Sequence, residues 1–77
     1  MWIRFKNNVT VNMDTVIKFE KTQYASGIIF YCNGFGFTLR FYNQTERDNA
    51  YESINRAIID RDDFVEINID TITDSRI

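Results

Sequence analysis

The chain has 77 residues, 44% of them apolar and 16% aromatic, with a net charge of −2 and one cysteine. That length allows one domain, residues 1–77, and calls for a rich core, because so short a chain buries only about 60% of its unfolded surface. The composition excludes a disordered segment and an internal disulfide framework, and no apolar run approaches the ~20 residues of a membrane span.

An antiparallel sheet is expected over residues 1–43. Ile3 and Phe5 alternate with Trp2 and Arg4, then Val9, Val11 and Met13 alternate with Thr10 and Asn12. A turn of Asn7-Asn8 alone would put Val9, Val11 and Met13 on a face with Arg4 and Lys6. A three-residue loop, Lys6-Asn7-Asn8, aligns them with Ile3 and Phe5, so this loop is expected, with an Asn in the left-handed region. Asp14-Thr15 reads as a corner. Ile17 and Phe19 then resume the core face on VIKFEKT, and Gln23 to Gly27 form the next turn.

Ile28 to Tyr42, IIFYCNGFGFTLRFY, holds six of the twelve aromatic residues. Asn33-Gly34 marks a two-residue hairpin turn of the type with positive φ at both positions. Counting outward pairs Cys32 with Phe35, Tyr31 with Gly36, Phe30 with Phe37, Ile29 with Thr38 and Ile28 with Leu39. One face then collects Ile28, Phe30, Cys32, Phe35, Phe37, Leu39 and Phe41, and the agreement of parity across both strands supports the register. Phe30, Phe37, Leu39 and Ile54 are expected to be buried together.

A helix is expected over residues 45–61. Thr45-Glu46-Arg47-Asp48 resembles a capping box, and Ala50, Ile54, Ala57 and Ile58, flanked by Tyr51, form a stripe that packs on the concave face of the sheet. A strand is expected over residues 64–72, where Val65, Ile67 and Ile69 alternate with Glu66, Asn68 and Asp70. An unpaired strand with one apolar side is unstable. It must pair either with its own sheet or with a neighbouring chain; the neighbour is modestly favoured, because a small core gains from oligomerisation, and this would make the protein a homo-oligomer.

The chemistry of catalysis is thin. The chain has no His, so Ser-His-Asp and Cys-His pairs and imidazole metal ligands are excluded. Cys32 falls on the core face, where a thiol is inert. Gly34-Phe35-Gly36 opens a strand and not a helix, so it is no phosphate loop. The acids of Asp60-Arg61-Asp62-Asp63 lack the bend glycine and closing Glu of a calcium loop. No catalytic residue, cofactor or metal site is expected.

Charge is divided unevenly along the chain. Residues 1–44 carry five Lys/Arg against two acids, and residues 45–77 carry four Arg against nine acids. Acids at a helix C-terminus oppose the macrodipole, so Asp60, Asp62 and Asp63, with Glu66 and Asp70, are candidates for contact with a basic partner. The outer sheet face offers Trp2, Arg4, Lys18, Tyr31, Arg40 and Tyr42. Aromatics interleaved with cations hold single-stranded nucleic acid by stacking and phosphate contact.

The order of short strands, the V-N-M-D-x-V corner from Val11 to Val16, the I-I-F strand at Ile28 to Phe30, and the helix TERDNAYESI resembles small bacterial and phage pleckstrin-homology-like proteins. The resemblance covers roughly residues 1–60. It implies a fold and no activity, since that family shares no catalytic motif, and no functional residue carries over. That family has seven strands; four or five are expected here, with a further strand after the helix.

The fold class expected is therefore α+β: a curved antiparallel sheet of two hairpins, one helix packed on it, and a C-terminal strand. The function expected is a non-enzymatic, cytoplasmic protein-interaction module, of the kind a phage or mobile element encodes. The alternative is a single-stranded nucleic-acid or anionic-ligand binder using the outer sheet face. No membrane contact is expected in either case.

Overall fold

Two three-stranded sheets and one helix make an α+β fold, described over residues 1–72 by a computed structural model. The chain order is β1 (Trp2–Phe5), β2 (Thr10–Asn12), a 3-10 turn (Met13–Thr15), β3 (Val16–Lys21), β4 (Gly27–Cys32), β5 (Phe35–Arg40), α1 (Gln44–Ile59) and β6 (Phe64–Ile67). One sheet is mixed, in the order β2-β1-β6, and the other is antiparallel, in the order β3-β4-β5. The expected single curved sheet is thus divided, and the division falls at the 3-10 turn. Asn12 caps that turn by accepting the Asp14 N–H at 3.0 Å.

Both hairpin registers follow the alternation. Ile3 lies opposite Val11 and Arg4 opposite Thr10, across the three-residue loop in which Asn8 takes φ 67°. In the second hairpin Cys32 lies opposite Phe35 and Ile28 opposite Leu39, with every pair between as counted. The turn itself differs from expectation. Only Gly34 takes a positive φ, at 89°, so one left-handed residue, not two, closes the loop.

Ile17 departs from the core face. A bulge between Val16 and Lys18 puts two residues of β3 where β4 has one, which reverses the parity of the strand at that point. Val16 and Phe19 pack on the core, while Ile17 is left 71% exposed. Phe30 is fully buried and stacks on Phe37 at 5.0 Å and on Phe19 at 5.9 Å between ring centroids. Phe37 and Leu39 are only half-buried, because β5 is an edge strand. Ile54 is fully buried.

The helix begins one residue before its expected start. Asn43, not Thr45, is the N-cap, and its side chain accepts the Glu46 N–H at 2.8 Å. The buried stripe is Arg47, Ala50, Ile54 and Ala57, whereas Ile58 lies at the edge of that stripe and is 45% exposed. Arg47 is a buried charge that hydrophobic periodicity alone passes over. Its guanidinium donates to the carbonyls of Thr22 and Gly27 at 3.4 and 3.3 Å and to Asp48 at 2.8 Å, tying the first turn of the helix to the β3–β4 turn. Asp48 also meets Lys21 at 3.0 Å. The Arg47 hydrogen bond, followed by that from Lys21, holds the Asp48 carboxyl below its usual range.

The helix ends in a double closure: Arg61 N–H donates to Ile58 C=O and Asp62 N–H to Ala57 C=O. This Schellman motif needs a left-handed residue, usually Gly, and here Arg61 occupies it at φ 58°. An L-residue in that region costs about 1–2 kcal/mol, against about 0.5–1 kcal/mol for the extra chain entropy of glycine. Arg61→Gly is therefore expected to stabilise the fold by about 0.5–1 kcal/mol. Urea denaturation checks this, and a lower midpoint would refute it.

The C-terminal strand pairs within its own chain. β6 lies parallel to β1, with Ile3 opposite Val65 and Phe5 opposite Ile67, so pairing with a neighbour is not how this strand is satisfied. The crossover that a parallel pair requires runs through β2, the second sheet and α1, with the helix returning the chain to β1, and the apolar side of β6 continues the apolar side of β1. Beyond β6 the chain spans to the other sheet. Lys6 N–H donates to Ile69 C=O, Asn7 exchanges side-chain bonds with Thr71, and Ile72 N–H donates to Arg40 C=O at 2.7 Å.

Candidate functional site

The acidic residues gather at one end of the helix. The turn from Asp60 to Asp63 is fixed at both ends, by the Schellman closure and by Trp2 N–H donating to Asp63 C=O at 2.9 Å. The side chains of Asp60, Asp62 and Asp63 are therefore presented to solvent from a rigid backbone. β6 then brings Glu66 beside the helix. Between α1 and β6 lies a groove of about 460 Å³ lined by Glu52, Arg56, Asp60, Asp62 and Glu66, among others.

Three of the five predicted acids thus converge, with Glu52 as an additional member, against one guanidinium in the lining. Asp63 and Asp70 lie outside the groove. Glu66 also meets Arg4 at 3.3 Å, with both side chains well exposed, a pairing worth little in water. Among the described residues, no three His, Cys, Asp or Glu side chains, those of the groove included, are placed so that they could hold a metal ion together. What the groove can do chemically is attract and orient cations.

The predicted outer-face set is divided between the sheets. Trp2 and Arg4 lie on β1, Lys18 on β3, Tyr31 on β4 and Arg40 on β5, with Tyr42 in the connection to the helix. Arg4 stacks over the Phe64 ring at 5.6 Å. Lys18 Nζ sits 4.6 Å from the centre of the Tyr31 ring, and the Tyr31 hydroxyl donates to Glu20 at 3.0 Å. That bond to Glu20, with some desolvation and the nearby carboxylate charge, raises the Tyr31 pKa. One stacking face of the set is therefore already occupied by one of its own cations. Tyr42 and Trp2 are exposed. Cys32 is buried, as its parity implied.

A second groove was not legible in the sequence. A space of about 510 Å³ opens between β3 and the C-terminal half of the helix, lined by Met13, Val16, Phe19, Tyr51, Ile58 and Asp62 among others. The two grooves share Ala57 and Asp62, so they flank the same helix end. The only sequence signal for the second groove is Ile17 and Ile58, two large apolar residues that the fold leaves exposed. Their assignment to the core concealed it.

Compared with protein-family models, curated proteins and solved structures, the chain matches none of them.

Proposed function

We propose that this chain is a non-enzymatic interaction module that binds a basic segment of a protein partner in the acidic groove between α1 and β6. The observation that carries the reading is the convergence of Glu52, Asp60, Asp62 and Glu66 on one groove from three separate stretches of chain. Of these, Asp60 and Asp62 sit at the C-terminal end of α1, where they oppose the helix dipole, an arrangement that costs about 0.3–1 kcal/mol each and that a cationic partner would offset. Charge of this kind mainly speeds encounter and fixes orientation. Among the described residues no helix is long and apolar enough to cross a membrane.

Two variants with equal change in net charge test the reading. Asp60→Asn/Glu66→Gln neutralises the groove, while Asp63→Asn/Asp70→Asn neutralises acids outside it. Titration with a short arginine-rich peptide, at low and moderate salt, is expected to show about tenfold weaker binding and a flatter salt dependence only for the first. Equal losses in both variants would reduce the effect to general acidity and reject the groove. A single-stranded oligonucleotide run alongside addresses the rival surface. Tight binding that vanishes in Arg40→Ala/Tyr42→Ala would give the function to the outer sheet face.

A further inference from the structure

Pairing of β6 within the chain leaves a different strand unsatisfied. β3 is bonded on one side only, to β4. Thr22 N–H donates to Gly27 C=O at 3.0 Å, and the register continues as Glu20 with Ile29 and Lys18 with Tyr31. Hydrogen-bonded pairs alternate along an antiparallel ladder, so Thr22, Glu20 and Lys18 point their backbone groups at β4. Those of Phe19 and Lys21 point away from it, and among the described residues they meet no backbone partner outside the ladder.

We infer that this edge pairs with the same edge of a second copy, antiparallel about a two-fold axis at Phe19. The charges on the strand select that arrangement. With the axis at Phe19, Lys18 lies opposite the partner's Glu20 and Glu20 opposite the partner's Lys18, while the outward backbone groups of Phe19 face one another. Shifting the axis by one residue sets Lys18 against its own copy, or Glu20 against its own copy. Like charges directly opposite destabilise a sheet, and opposite charges stabilise it.

The two side chains are already held in place, Lys18 over the Tyr31 ring and Glu20 by the Tyr31 hydroxyl. Ile17 and Ile58, 71% and 45% exposed, both line the groove beside this edge, where the second copy covers apolar surface. The pairing is isologous, so it closes at two chains. It also turns a six-residue open edge, a liability for aggregation, into the centre of a six-stranded sheet.

Light scattering coupled to size exclusion, at low ionic strength and over a wide concentration series, tests this. The parent chain is expected to approach the mass of two chains. Lys18→Glu and Glu20→Lys each place like charges opposite one another and are expected to associate about tenfold or more weakly. Mixed in equal amounts, these two variants present opposite charges at both positions, and the dimer returns. A parent that stays a single chain at all concentrations would overturn the inference. So would a Lys18→Glu variant that dimerises like the parent, or a mixture that stays monomeric. Circular dichroism reports the folding of each variant. Should either lose its fold, the double variant Lys18→Glu/Glu20→Lys decides, because it keeps the complementarity: a dimer supports the two-fold at Phe19, and a monomer rejects it.

Discussion

Ending the chain at Asp63 will unfold it. The deletion removes β6, whose four residues pair along the whole of β1, and it removes Ile67, which is 4% exposed in the shared core. Ile3 and Phe5 would lose their cover on that side, and the backbone groups of β1 would lose partners on one edge. Truncating Ile67 alone to Ala is worth about 2–5 kcal/mol. A domain has only about 5–15 kcal/mol in total, with small ones at the low end, so the whole strand exceeds what the fold can lose. Circular dichroism and amide-proton dispersion in an NMR spectrum would show it. A shortened chain that still melts cooperatively near the parent would mean that β6 is an accessory to the fold.

Phe30→Ala is expected to cost about 3–5 kcal/mol, the usual range for a buried phenylalanine whose cavity does not collapse. Phe30 is fully buried and is the middle ring of the stack Phe19–Phe30–Phe37, so its loss strips a partner from both neighbours. Phe37→Ala removes a half-buried ring on an edge strand, and about half that cost is expected. Chemical denaturation of the two variants gives the comparison. If Phe37→Ala is the more damaging, the core is centred on β5 and not on β4.

How much of this was legible follows from what each residue type reports. Alternation of period two reports which face a side chain takes, and it placed both hairpin registers; the left-handed Asn expected in the first loop is Asn8, which alternation alone did not single out. It fails wherever a residue is added without a marker, as at Ile17, because a bulge changes parity without any glycine or proline to announce it. The alternation of Val65 and Ile67 told which side of β6 is apolar, yet said nothing of its neighbour; that choice depends on which edge the helix delivers the strand to. Asn43 and Thr45 are both good caps, and the fold chose the earlier.

The site was legible in its parts and not in its assembly. Asp60, Asp62 and Glu66 could be named from charge, but their convergence depends on β6 lying beside α1. Arg47 escaped because a hydrophobic stripe is sought among apolar residues, although its spacing of three from Ala50 and seven from Ile54 puts it on the same helix face.

The parallel pairing of β1 with β6 has a consequence for how the chain acquires its fold. Trp2 meets Phe64, so the contacts of this strand pair, unlike those of the β1–β2 hairpin, have nearly the greatest sequence separation the chain permits. Non-local pairing of this kind slows folding, because loop closure precedes any gain. The β4–β5 hairpin is local and can form early. At a synthesis rate of about 5–20 residues per second, β1 waits about 3–12 s for its partner strand. Throughout that interval one edge of β1 is open, and a neighbouring nascent chain can supply the same strand. Exchange of β6 between copies is therefore the misassembly this topology favours. It would be recognised as a dimer that separates only by unfolding, unlike an edge-to-edge pair in rapid equilibrium.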